Sequence, residues 1–215
     1  MSFKIAIAGI TSKLAQLVAT QLLSKDPNVQ IWGSSRDPSK LPSSLKDSPR
    51  VTLLQTDALD GSKLRSLVHG ADVVICCYFA DNETMLNGQK LLIDLCEEEN
   101  VPRYIASDYS LDYRGLEFGE IPLKDPMKHL KTYLEAKKNV KGVHILVGIF
   151  METFWSAIAK LDVEKKTFRY WGDGKAEFEL TSVGGAADCV TAVALDKDAV
   201  GFLKCMFVLS FLVWN

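Results

Sequence analysis

This 215-residue chain has little net charge, few histidines, no evident cysteine pairing and no apolar run long enough for a comfortable membrane span. Its 25 basic and 27 acidic side chains leave a formal charge of −2. That gives no reason to expect nucleic acid or an anionic membrane as a partner. The three histidines, His69, His129 and His144, are scattered, so no metal site is expected. Five cysteines, Cys76, Cys77, Cys96, Cys189 and Cys205, suggest no paired framework. The adjacent Cys76 and Cys77 fall in an apolar stretch and are expected as buried strand thiols. A reduced, cytoplasmic protein is the simplest expectation. Ser2-Phe3-Lys4 leads straight into a strand pattern, so no secretory leader is expected. Thirteen residues, Phe202 to Trp214, are almost wholly apolar, broken by Lys204 and Ser210. They are too few for a comfortable membrane span; a buried strand or helix is expected, or a tail without cover. Repeats and low-complexity linkers are absent. What remains is the composition of a soluble globular protein, 47% hydrophobic and 24% charged, long enough for one domain and a partial second lobe.

The opening stretch Lys4–Leu23 organises the rest. Ile5 to Gly9 is a short apolar run ending at glycine, as a strand buried on both faces reads. Leu14, Leu17, Val18 and Leu22 then fall on one face of a helix. Strand, glycine turn and helix form the opening unit of a dinucleotide-binding sheet. The usual G-x-G-x-x-G is replaced by Gly9-x-x-Ser12-x-x-Ala15. Gly9 allows the sharp turn, and Thr11 and Ser12 offer hydroxyls and amides at a helix N-terminus, where an anion is favoured. Ala15 lets the helix lie close to the strand. The competing reading is a tight turn in an α/β protein that binds no nucleotide.

Further strands are expected at Val29–Gly33, Val51–Gln55, Asp72–Cys77 (the most apolar, hence central), Val101–Ala106 and Val143–Val147. Helices are expected through Leu64, Leu67 and Val68, with Asp60 and Ser62 as candidate caps, and over Glu83–Glu98 and Pro126–Val140. Strands alternating with helix-length segments predict a doubly wound parallel sheet. Beyond Gly148 the chain turns aromatic. Phe168–Trp171 and Ala176–Leu180 flank Gly172-Asp173-Gly174-Lys175, a hairpin signal. Ser182 is a candidate cap for a helix through Ala186, Val190, Val193 and Leu195.

The ends of the strands carry the candidate chemistry. Gly33-Ser34-Ser35-Arg36 closes the second strand with arginine where an NAD site wants a carboxylate. A guanidinium beside two hydroxyls suits a 2′-phosphate, so NADP(H) is expected over NAD, with Lys13 and Lys40 as additional positive charge. Asp57 and Ala58 are read either as adenine contacts or, for Asp57, as a helix cap. Tyr78 and Phe79 are placed beside the ribose and nicotinamide or in the core. Ser107 is a candidate donor to a substrate carbonyl. Lys128 is a candidate to hold the nicotinamide ribose and to tune a nearby hydroxyl by its charge. Tyr133 and Lys137 satisfy Y-x-x-x-K but lie at the far end of their helix, about 13 Å from its sheet-edge start at 1.5 Å per residue. Lys124, four before Lys128, is not the usual tyrosine.

Three segments, Ala8–Ala15, Gly148–Glu152 and Tyr170–Gly174, resemble the NmrA-like family of atypical short-chain dehydrogenase/reductases, which includes isoflavone-reductase-like enzymes. The likeness runs from about residue 3 to residue 200. It implies a Rossmann domain over residues 1–148, NADP(H) at the glycine motif, and a small substrate lobe over 149–215 that is not an independent domain. Gly9, Thr11, Ser12 and Leu14 match the family's phosphate loop, Arg36 its 2′-phosphate reader and Lys128 its catalytic lysine. Ser12 and Ala15 depart from the glycines of many members. Family chains are usually about half as long again, and residues 201–215 do not look like their continuation, so a truncated or misspliced product is expected. The functional expectation is an NADPH-dependent oxidoreductase reducing a small carbonyl or unsaturated compound. The alternatives are a non-catalytic NADP-sensing regulator working through a protein partner, and a shortened chain without function.

Overall fold

A computed structural model describes residues 2–158, 160–162, 164–169, 177–205 and 207–210. The first unit is β1 (Phe3–Ala8), α1 (Lys13–Lys25) and β2 (Val29–Ser35). It continues through α2 (Ser43–Lys46), β3 (Val51–Gln55), α3 (Gly61–Val68), β4 (Val73–Cys76), α4 (Asn82–Glu98), β5 (Arg103–Ile105), α5 (Asp125–Glu135) and β6 (Lys141–Leu146). Then come β7 (Ile149–Phe150), α6 (Met151–Thr153), a π-helical turn at Phe154–Ile158, β8 (Lys160–Asp162), β9 (Thr167–Arg169) and β10 (Glu177–Thr181). The last elements are α7 (Val183–Leu195), β11 (Gly201–Lys204) and β12 (Phe207–Ser210).

Seven strands form one sheet in the order β3-β2-β1-β4-β5-β6-β11, every neighbour parallel. β4 is the middle strand and all four of its residues are buried, as expected for a run covered on both faces. Helices α1 and α7 cover one face, where Ile5, Ile7, Val18, Leu22, Val143, Ala187 and Val190 meet. Helices α3, α4 and α5 cover the other, over Ala6, Leu67, Val74, Leu92, Tyr104 and Leu130. The order in which strands are laid down reverses between β1 and β4, and in open α/β sheets a ligand crevice forms at such a switch point.

Side chains cap the helices where the sequence indicates. Ser12, Asp60 and Ser182 accept from the amides of Ala15, Lys63 and Gly185. Helix α5 stops at Glu135, five residues short of the expected Val140. The amides of Lys138, Asn139 and Val140 donate instead to the Glu97 carboxylate on α4. A tertiary acceptor thus replaces the helical carbonyls.

The later segments differ most from expectation. The tip of the expected hairpin, 172–175, lies outside the described residues, and the described strands on either side, β9 and β10, belong to different sheets. β9 runs antiparallel to β8, while β10 joins a separate sheet between β12 and β7. β11 returns to the main sheet beside β6, with Phe202 opposite His144. Cys189 and Cys205 are joined in a disulfide, correcting the expectation of no paired cysteines. Cys76, Cys77 and Cys96 are free and buried. Arg103 on β5 is buried, and its guanidinium donates to the carbonyls of Val193, Ala194 and Asp196 at 2.6–3.0 Å, capping the C-terminus of α7. Among the described residues no helix is long and apolar enough to cross a membrane, and no cluster of side chains could hold a metal.

Candidate functional site

A cleft of about 400 Å³ opens at the switch point, beyond the C-terminal ends of β1 to β4. Its floor is the β1–α1 turn, with Gly9, Thr11 and Ser12. Gly9 has φ +80°, and a Cβ there would stand 2.8 Å from the Cys77 carbonyl oxygen. Only glycine fits this turn without strain. The amides of Gly9 and Ile10 both donate to the Ser34 carbonyl, locking the turn against β2. Ser12 accepts from the Ala15 amide at 3.2 Å, and its side chain also bonds the Cys77 thiol beneath the turn. The first turn of α1 adds the unpaired amides and positive dipole end that favour phosphate.

The wall beyond β2 carries Ser34, Ser35, Arg36 and Lys40. Ser35 is buried, and its Oγ has no hydrogen-bond partner. An orphaned hydroxyl in a cleft wall fits a ligand acceptor. Arg36 is exposed, and its backbone carbonyl is held by Gln55 Nε2 at 3.0 Å. The next residue, Asp37, is a carboxylate that could have favoured NAD. Its Oδ1 instead accepts from the amide and hydroxyl of Ser39, at 3.1 and 2.5 Å, and it does not line the cleft. The Ser39 hydroxyl bond, aided by Lys40, holds its carboxyl below the usual range.

The remaining walls come from the ends of β3 and β4. Asp57 and Ala58 line the cleft. Asp57 Oδ1 accepts from the Leu59 amide at 3.1 Å, and Asp60, not Asp57, caps α3. Tyr78 lines the cleft and its phenol is pushed up by burial. Phe79 stands at the rim, 98% exposed. Cys77 is buried, its thiol pushed up to about 12, so it remains protonated at neutral pH. Thr56, Leu59, Asp81 and Thr84 also line the cleft. The sequence reading missed them because they were legible only as turn or cap residues.

Three expected site residues stand outside the lining. Leu14 points into the core between α1 and the sheet. Ser107 is buried, and its Oγ donates to the Tyr78 carbonyl at 2.8 Å while its amide donates to Gln89 Oε1 at 2.9 Å. The proton expected for a substrate carbonyl thus ties the β4 and β5 loops together. Lys128, in the first turns of α5, has its Nζ out of water with no hydrogen-bond partner. The Tyr133/Lys137 pair closes on Asp94 of α4, at 2.7 and 2.5 Å. Next to Ser107, the fully buried Asp108 binds the Tyr113 hydroxyl and His144 Nδ1 through one oxygen, at 2.7 and 2.5 Å. No sequence signal joined these three, because they come from separate loops and strands.

A nucleotide-binding α/β protein is what this sheet order and cleft define. The family model described as NAD(P)H-binding matches residues 9–143, more than half of the chain, and the chain belongs to that family. No curated protein matches it. Among solved structures, NmrA, a negative transcriptional regulator, superposes with a TM-score of 0.77 at 16% identity, over 98% of this chain and 69% of its own. Isoflavone reductase gives 0.73 at 20% identity, over 95% and 69%. The leucoanthocyanidin reductase–NADPH complex from Vitis vinifera gives 0.75 at 14%, again over 95% and 69%. The Rossmann-type fold expected from the sequence is the fold these proteins share.

Proposed function

We propose that this protein binds NADP(H) in preference to NAD(H) and works as an NADPH-dependent oxidoreductase on a small carbonyl or unsaturated compound. The carrying observation is the wall beyond β2. The orphaned Ser35 hydroxyl stands beside Arg36 and Lys40, while Asp37 lies outside the lining, engaged by Ser39 and loosely by Lys40. A 2′-phosphate would accept from the hydroxyl and pair with both cations. Gly9, Thr11 and Ser12 would hold the pyrophosphate, Asp57 and Ala58 the adenine side, and Tyr78 and Phe79 the ribose and nicotinamide. When bound, the nicotinamide supplies hydride. Lys128 would direct its ammonium at the substrate oxygen and favour negative charge there. Ser107 serves this reading by holding the Tyr78 carbonyl rather than by touching substrate. The lobe after Gly148 would supply the substrate side.

The second reading is an NADP-responsive regulator that acts through a protein partner. Ser107's committed hydroxyl and the distant Tyr133/Lys137 pair favour it, since neither offers a proton at the cleft. Titration with NADPH and NADH, read by nicotinamide fluorescence and melting temperature, tests the shared part. NADPH-selective binding supports it, and a folded protein that binds neither refutes it. A screen of carbonyl and enone substrates for NADPH oxidation then separates the two readings.

A further inference from the structure

Among the described residues, three buried side-chain atoms have no hydrogen-bond partner: Ser35 Oγ, Asp108 Oδ1 and Lys128 Nζ. Ser35 belongs to the cleft. Lys128 is the most demanding, because an ammonium carries three protons and is strongly hydrated. What it has in place of water is a ring. Its Nζ lies 4.4 Å from the centroid of Phe118. Phe118 is not a core residue, being 58% exposed. It is nevertheless held in place. Its ring packs on His129 at 4.8 Å. The next amide, Gly119, donates to both oxygens of the Asp125 carboxylate at 3.2 Å, in the same helical turn that leads to Lys128.

Lys131 shows the ordinary arrangement one turn on, with its Nζ 2.9 Å from Glu135. A carboxylate holds an ammonium by taking its protons and cancelling its charge. An aromatic face attracts the cation through its quadrupole and takes no proton. We propose that Phe118 is a positioning residue for Lys128: the face of its ring holds the ammonium out of water while leaving its protons for an incoming oxygen. The proposal rests on the reading of Lys128 as the substrate-side amine. It adds the ligand class that site takes, a hydrogen-bond acceptor such as a carbonyl oxygen or enolate, approaching past the ring edge. A cationic or donor-only group finds no acceptor there.

The test is lysine-by-lysine reductive methylation of the purified protein at neutral pH, read by peptide mass spectrometry, with exposed Lys46 as internal standard. The variants are Phe118→Tyr, which keeps the π face, and Phe118→Met, which keeps apolar cover without it. We expect Lys128 in the unaltered protein to react roughly tenfold more slowly than Lys46, the tyrosine variant to match it, and the methionine variant to lose most of that protection. Equal rates in the two variants, or a Lys128 as reactive as Lys46 in the unaltered protein, would overturn the proposal. Melting temperature shows that each variant is folded, and NADPH titration should stay unchanged because Phe118 does not line the cofactor cleft. A failure of NADPH binding in the unaltered protein speaks against the cofactor reading alone and is read separately from the labelling.

Discussion

On the reading of Arg36 as the 2′-phosphate contact, replacing it by alanine should weaken NADPH about tenfold and leave NADH almost unchanged. The side chain stands just past β2, exposed, on a backbone fixed by Gln55. Its loss removes charge-assisted hydrogen bonds to a 2′-phosphate, worth about 1.5–3 kcal/mol. Exposure and salt screening place the effect near the lower end, and Lys40 and Ser35 remain to hold part of the phosphate. A loss of ~1.5 kcal/mol weakens NADPH about tenfold. NADH carries no phosphate at that position and should change less than about twofold by the same accounting. The assay is a fluorescence titration with each cofactor at two salt concentrations. The variant should also show a shallower salt dependence for NADPH, because one phosphate-pairing cation is gone. Ligand-induced melting shifts give an independent reading of the same affinities. Equal loss for both cofactors, or none for NADPH, would refute the assignment of Arg36 as phosphate reader.

Gly9→Ala should cost about 1–3 kcal/mol of stability from the left-handed backbone alone, and more from the approach to the Cys77 carbonyl, so thermal melting should fall together with NADPH affinity. Arg103→Met takes the guanidinium away from the carbonyls of Val193 and Ala194, while Asp196 keeps its bond from the Ala199 amide. A loss of about 2–4 kcal/mol is expected in urea unfolding, and an unchanged midpoint would show that the capping role is wrong. Asp112 is held well below the usual carboxylate range, chiefly by Arg114 and also by Lys204 on β11. A depressed folded-state pKa stabilises above the ordinary value of 3.8 and is lost as pH falls below it. Asp112→Asn should therefore flatten the acid limb of the stability profile, and the same acid sensitivity in both proteins would count against this tie.

Local pattern made much of the architecture readable. The apolar run through Val73–Cys76 lies at the centre of the sheet because both of its faces are covered. Ser12, Asp60 and Ser182 cap the helices they precede because a cap acts over three residues and needs no distant partner. Most cleft residues follow from the same logic. Gly9, Ser12, Arg36, Asp57 and Tyr78 each stand just past a strand, and parallel strands bring all such positions to one edge. Leu14 was named with the phosphate loop by resemblance, while helical periodicity put its side chain on the core face, and there it packs.

The sequence by itself thus determined the periodicities, the caps, the order of strands and helices in the first two thirds of the chain, and the chemistry available at the sheet edge. Tertiary structure alone decided what each polar group does there. The Glu97 carboxylate ends α5, Arg103 caps a helix ninety residues away, and Asp108 gathers Tyr113 and His144. β11 comes back to lie beside β6, and Cys205 reaches Cys189. The physical reason is common to them all. An arginine, aspartate or lysine reads as a solvated surface residue until the fold takes its water away. Which groups then replace that water, backbone carbonyls for Arg103 or the face of Phe118 for Lys128, depends on neighbours that the chain brings together only by folding.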